Sequence, residues 1–236
     1  MPVPKVSKPQ KPNDFRPISI TAVLSRTLER HVVRSFLYPA LQKPPDGLYF
    51  GDQFAFRPTG STTAALIALL HTVRTMLSCN EYVRVFALDF SKAFDTVRHS
   101  TLMAKMATLQ LPDQVYNWIK NFFEDQSHCT KFGGEISTTA SIRASVIQGS
   151  GLGPASFLVT AADLRPLSDH NRITKFADDT YLIVPASNTA TCHDELQHIQ
   201  QWAENNNLQL NQANTKEIVF CVKRRRCSAA AAVSEH

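Results

Sequence analysis

The chain has 236 residues, 43% of them hydrophobic, and a formal net charge of +5, so it has the length for one sizeable core or two small ones. Five cysteines (Cys79, Cys129, Cys192, Cys221, Cys227) are odd in number and lack a Cys-x-x-Cys spacing, which argues for reduced, mostly buried thiols and against a zinc knuckle. No run of 18 apolar residues and no charged, apolar, small-residue leader occurs, so neither membrane insertion nor secretion is indicated.

Residues 1–13 are rich in Pro and Lys and read as an extended basic segment. Positive charge is concentrated early: residues 1–43 hold eight Lys or Arg against Asp14 and Glu29, a balance of +6, which leaves about −1 for the remainder. Apolar spacing predicts a helix over Leu24 to Tyr38, stopped by Pro39, with Arg26, Arg30 and Arg34 on one side. A second helix is predicted over Ser61 to Ser78, with Leu66, Leu69, Leu70, Val73 and Leu77 on its buried face. In Val83 to Phe90, period 2 puts Val83, Val85, Ala87 and Asp89 on one face and Phe86, Leu88 and Phe90 on the other. Both faces are largely apolar, which predicts a central strand covered on both sides. Helices follow around Ser100 to Thr108 and Asp113 to Asp125, then a hairpin through Gly133-Gly134. A glycine-dense loop, Gln148-Gly149-Ser150-Gly151-Leu152-Gly153-Pro154, lies between a strand and a helical stretch over Ala155 to Leu164. Two apolar runs, Arg172 to Phe176 and Tyr181 to Val184, predict a hairpin. A helix over Thr189 to Asn206 carries Leu196, Ile199 and Trp202, and a strand over Glu217 to Val222 leads into a basic tail, 223–236, expected to be disordered. Helices beside a mainly antiparallel sheet make the fold class α+β.

The chemistry sits at three places in this order. Asp178 and Asp179 stand near the apex of the predicted hairpin, where adjacent carboxylates raise one another's pKa unless a cation neutralises them. Asp-Asp is also ordinary turn chemistry, and a third carboxylate is what shifts the reading toward a hard divalent ion, Mg²⁺ above all. Asp89, closing a strand with two apolar faces, supplies it, since burying a carboxylate uncompensated costs several kcal/mol. Asp95 reads as a helix cap leading into Val97 and beyond.

Asp14-Phe15-Arg16-Pro17-Ile18-Ser19, Gln53-Phe54-Ala55-Phe56-Arg57-Pro58, Leu88-Asp89-Phe90-Ser91-Lys92-Ala93-Phe94-Asp95, Gln148-Gly149-Ser150 and Phe176-Ala177-Asp178-Asp179 resemble, in order, the successive blocks of non-LTR (LINE-type) retrotransposon reverse transcriptases. Five linked blocks cover nearly the whole chain, from about Asp14 to Phe220, and are far more specific than any one. The resemblance implies a right-hand polymerase fold, with partial fingers over 14–82, a palm over 83–222 and no thumb. It implies nucleotidyl transfer: a DNA primer 3′-hydroxyl attacks a dNTP on an RNA template, with two Mg²⁺ ions (or Mn²⁺) stabilising the attacking and leaving oxygens. Asp89 and Asp178 would bridge the ions, with the backbone carbonyl of Phe90 as a further ligand and Asp179 as an auxiliary ligand or primer-orienting group. Phe94 matches the aromatic that blocks a ribose 2′-hydroxyl; without the family it reads as a core Phe. Arg16 falls at a triphosphate clamp, for which a planar guanidinium fork suits. Gln148 and Gly149 match the nucleotide pocket, glycine allowing close backbone approach. Lys11 and Arg57 are candidate template or phosphate contacts. The family's setting is intracellular, nucleus or cytoplasm, with the thumb and endonuclease in the same polyprotein.

Two departures stand out. Ser145-Val146-Ile147 replaces the usual Gly-Val lead-in to the Gln-Gly loop. Leu210-Asn211-Gln212-Ala213-Asn214-Thr215-Lys216 resembles a block worded Leu-Asn-x-x-Lys-Thr-Lys, with Asn214 at the first lysine. If that lysine protonates pyrophosphate, an amide cannot replace it, and Lys216 becomes the candidate proton donor. Three classes therefore stay open: an RNA-directed DNA polymerase domain, a truncated, catalytically inactive relic that folds and at most binds RNA or a protein partner, and an RNA-templated RNA polymerase, against which Phe94 argues.

Overall fold

In the computed structural model, which describes residues 2–142 and 144–222, the first element is β1 (Pro2–Pro4), paired antiparallel with β2 (Phe15–Pro17). The basic segment therefore folds back on itself rather than running out extended, and the Lys5 N–H donates to the Asp14 carbonyl at 2.7 Å. Helix α1 (Val23–Val32) passes through a π-helical turn, Val33–Leu37, into α2 (Tyr38–Leu41). Pro39 does not stop it. A proline lacks the N–H that an ordinary α-helical turn requires, but the wider π turn puts Pro39 in the opening turn of a new helix, where no such donor is needed.

Ser61 caps α3 (Thr62–Leu77), its hydroxyl accepting from the Ala64 N–H at 3.0 Å. Val73 is buried as expected, but Leu66 and Leu70 are 55% and 46% exposed. The helix meets the sheet through its carboxyl-terminal half, and Leu69, Val73, Met76 and Leu77 make that contact. β3 (Tyr82–Leu88) follows, then β4 (Phe90–Ser91), α4 (Ala93–Thr96), α5 (His99–Thr108) and α6 (Asp113–Phe123). Asp95 lies inside α4 and caps nothing; α5 begins after Arg98.

A small β-region comprises β5 (Ser127–His128), β6 (Lys131–Phe132), β7 (Glu135–Ile136) and β8 (Ala140–Ser141). The turn between β6 and β7 is Gly133-Gly134, both at positive φ, which glycine adopts freely. The glycine-dense loop is preceded by an isolated Arg98–Ala144 bridge rather than a full strand, and leads into α7 (Gly153–Thr160). β9 (Arg172–Phe176) and β10 (Asp179–Pro185) form the expected hairpin, followed by α8 (Cys192–Asn205), β11 (Gln209–Leu210) and β12 (Lys216–Cys221). The expectation for 223–236 lies outside the described residues.

The main sheet is antiparallel in the order β12-β3-β10-β9, so β3 is interior. Its two faces serve two cores. Val83 and Val85 pack with Ile183 and α3, while Phe86 and Leu88 join the larger core built with Leu102, Phe157, Leu182 and Ile199. Each fully buried aliphatic side chain of this kind contributes about 1.5–3 kcal/mol. Of the cysteines, Cys192 is buried, whereas Cys79, Cys129 and Cys221 are exposed and Cys221 is disulfide-bonded, so the expectation of reduced, mostly buried thiols does not hold; Cys227 lies outside the described residues. Among the described residues no helix is long and apolar enough to cross a membrane.

Candidate active site

Antiparallel pairing of Thr180 with Leu88 and of Asp179 with Phe176 fixes where the carboxylates lie. The turn itself is Ala177-Asp178, and Asp179 is already the first residue of β10. Continuing the Thr180–Leu88 register by one residue brings Asp179 opposite Asp89, across adjacent strands. Like charges so placed repel. Burial, with the neighbouring charges of Asp179 and Asp89, holds the Asp178 carboxyl above its ordinary range. Partial desolvation and the Asp89 charge push Asp179 the same way. Among the described residues no ion pair reaches any of the three.

Beside Asp178 opens a cleft of about 480 Å³. Its walls gather Arg16, Phe94, Gln148, Gly149 and Asp178 from four separate stretches of sequence. Phe94 is half-buried and held rigidly, stacked on Phe157 with centroids 4.4 Å apart and edge-on to Phe56 at 6.0 Å. Phe94 packs on the core, as its residue type alone suggests, and it also lines the cleft. The Gln148 amide donates to Asp95 Oδ1 at 2.9 Å, so Asp95 orients the pocket's glutamine. Gly149 has φ +109, and a Cβ there would fall 2.5 Å from the Ser19 carbonyl oxygen. Its close approach is thus to the backbone of Ser19, whose N–H donates to Gln148 O at 2.9 Å.

Other sequence candidates lie elsewhere. The Arg57 guanidinium donates to the carbonyls of Phe50 and Gln53, which makes it a brace for that turn. Lys11 is exposed and outside the cleft walls. Lys216 Nζ folds back on the Ala213 carbonyl at 2.9 Å. Asn214 instead reaches the site: its side-chain amide, and that of Asn211, each donate to Asp89 Oδ2 at 2.9 Å. Phe90 follows Asp89 directly, its ring buried against Trp202 at 6.0 Å.

The profile of one family, reverse transcriptase (RNA-dependent DNA polymerase), matches residues 3–227. The chain belongs to the reverse transcriptase family. The relatives it matches are those of non-LTR elements. It is 30% identical over 235 residues to the probable RNA-directed DNA polymerase from transposon X-element of Drosophila melanogaster, covering 94% of this chain and 25% of that protein. It is 28% identical over 230 residues to the polymerase from mobile element jockey of the same fly, covering 93% and 25%. The chain thus spans about a quarter of the length of these relatives. In fold it is similar to apo telomerase from Candida tropicalis, with a TM-score of 0.62 and 14% identity over 82% of this chain and 37% of that one. The same telomerase bound to the TWJ fragment of telomeric RNA gives 0.61 and 15% over 84% and 34%. The α+β fold expected from sequence is therefore that of a reverse transcriptase's palm and fingers.

Several reverse transcriptase residues at this site were not singled out from sequence. Lys5 and Lys92 also line the cleft and add two cations to it, and Lys92 sits at φ +51, unusual for a residue with a side chain. Glu29, fully buried, accepts from the N–H groups of Gly151 (2.6 Å) and Leu152 (3.2 Å), tying the glycine loop to α1. A lone acid among the arginines of α1 was the available signal. Among the described residues no three His, Cys, Asp or Glu side chains converge to hold a metal ion by themselves. Mg²⁺ commonly takes one or two carboxylates and completes its shell with substrate phosphates and water. The hard oxygens and uncompensated charge of Asp89 and Asp178 fit that mode.

Proposed function

We propose that this chain carries the RNA-directed DNA polymerase activity of a non-LTR retrotransposon, adding dNTPs to a DNA primer 3′-hydroxyl on an RNA template. The observation that supports it most is the single cleft in which Arg16, Phe94, Gln148 and Gly149 meet Asp178. Asp89, Asp178 and the Phe90 carbonyl would hold two Mg²⁺ ions, with Asp179 as auxiliary. Bound there, the ions supply charge stabilisation for the attacking and leaving oxygens. Arg16, with Lys5 and Lys92, faces the triphosphate; a guanidinium offers it paired donors and the lysines offer point charge. Phe94, pinned between Phe56 and Phe157, stands against a 2′-hydroxyl. Gln148, fixed by Asp95, orients the incoming nucleotide. Residues 14–82 serve as partial fingers and 83–222 as palm.

A second reading, a folded relic that binds RNA without chemistry, draws on Asn214. Its amide occupies Asp89 Oδ2 and delivers no proton at neutral pH. Primer extension on an RNA template with Mg²⁺ separates the two. The polymerase reading expects extension with dNTPs, lost in Asp178→Ala, and ribonucleotide use gained in Phe94→Ala. Absence of extension by the folded chain would overturn the polymerase reading for this chain, and an unchanged sugar preference in an active Phe94→Ala would remove the gate.

A further inference from the structure

Asp178 sits on a turn whose first residue, Ala177, has φ +57. For an L-residue with a Cβ that left-handed conformation is strained, and glycine, which would accept it freely, is not there. Something must hold the turn. β9 is the outer strand of the sheet, so its free edge has no strand beside it. The segment 52–54 covers that edge: the Lys175 N–H donates to the Asp52 carbonyl at 2.7 Å and the Phe54 N–H to the Lys175 carbonyl at 2.9 Å. Two residues further on, the Ala55 N–H donates to the Gln53 side chain instead of continuing the pairing to Ala177. The side chain of Gln53 takes its place.

Its Oε1 accepts from the Ala177 N–H at 2.9 Å and its Nε2 donates to the Ala177 carbonyl at 3.1 Å. Oε1 also accepts from the Ala55 N–H at 3.0 Å, and the residue is 2% exposed. One carboxamide thus imitates a strand peptide, meeting both polar groups of Ala177. The segment that presents it is fixed from below. The fully buried Lys175 ammonium donates to the carbonyls of Ala161 (2.8 Å) and Leu164 (3.1 Å) and pairs with Asp52 at 3.1 Å. Arg57 braces the Gln53 carbonyl at 3.1 Å.

We propose that Gln53 is a positioning residue for Asp178, acting through Ala177 rather than touching substrate or ion. The inference rests on the reading of Asp178 as a cation ligand. It requires a group that donates and accepts together. A Met of the same length donates nothing and accepts only weakly, and an ionised Glu only accepts.

The test uses the full chain and three readouts: amide hydrogen exchange at Ala177, affinity for Mn²⁺ alone read by water-proton relaxation, and Tm. In the unaltered protein the Ala177 amide is protected. Gln53→Met speeds its exchange at least about tenfold, and Mn²⁺ binding weakens about 10- to 100-fold, the scale seen when a partner behind a metal ligand is removed. Adding Ala177→Gly to Gln53→Met recovers part of the affinity, because glycine adopts the turn unaided. A merely structural glutamine lowers Tm without this selective loss and without rescue. The proposal is overturned if Ala177 in the unaltered protein exchanges at an open-turn rate, a result that needs no variant to fold. It is equally overturned if Gln53→Met leaves Mn²⁺ affinity within about twofold while Asp178→Asn abolishes binding. No Mn²⁺ binding by the unaltered chain sinks the cation-site reading instead, and the exchange measurement still decides whether Gln53 holds the turn.

Discussion

Lys175 and Asp178 lie three residues apart on one hairpin and meet charge burial in opposite ways. Lys175 is fully buried, and its three ammonium protons go to two carbonyls and Asp52. Burial pushes Lys175 down and Asp52 up, and each charge opposes the other's shift. Asp178 is half-buried beside two more carboxylates, and among the described residues no ion pair reaches it. At Lys175 the protein supplies the counter-charge itself, although Asp52 Oδ1 stays buried without a hydrogen-bond partner. At Asp178 it leaves them incomplete. The pairing at Lys175 serves the fold, whereas under the proposed function the charge at Asp178 is kept for what the site binds.

The contrast breaks most visibly at its buried end. Lys175→Met strands Asp52 in the core and lowers stability by about 3–5 kcal/mol, while Lys175→Met with Asp52→Leu recovers most of it, because a packed apolar pair replaces a buried ion pair at little cost. Urea melts of the two variants check this. At the open end the balance reverses: Asp89→Asn leaves the melting curve in place and cuts primer extension by about 10²- to 10³-fold, the scale of removing one preorganised electrostatic contact. Asn214→Lys sharpens the comparison by placing a cation beside Asp89. If a proton donor is what this copy lacks, extension rises by about 10²-fold. Lys216→Ala gives the smallest effect, less than about threefold in extension, because Nζ is already engaged by the Ala213 carbonyl.

The strand leading to Asp89 was legible because two-residue periodicity and β-branched residues encode a strand covered on both faces, and the Asp178 hairpin because apolar runs flank a polar turn. Family wording brought Arg16, Phe94, Gln148 and Gly149 to one cleft that no local pattern predicts. What escaped depends on partners distant in sequence. Gln53 reaches Ala177 across 124 residues and Glu29 reaches Gly151 across 122, and no local pattern names either partner. Pro39 misled because a π turn absorbs it, and Leu66 and Leu70 misled because periodicity marks a helix face but not how far along that face the sheet extends. Asp95 resembled a cap, yet it serves Gln148 from inside a four-residue helix.

The proposed function makes Asp89 and Asp178, with Asp179 as auxiliary, the carboxylates that take divalent cations together with substrate oxygens. Carboxyl-carbon NMR titration of the aspartates with and without Mg²⁺ tests it directly. Without the ion, Asp178 and Asp179 titrate above the ordinary carboxylate value of 3.8. The sign follows: a raised folded-state pKa gives stability that is fully present below the unfolded value and lost as pH rises through the folded one. The ion-free protein is therefore less stable at neutral pH than these two groups allow in acid. Mg²⁺ should draw both midpoints below the ordinary value and abolish that loss. Midpoints at the ordinary value, unmoved by Mg²⁺, would contradict the account.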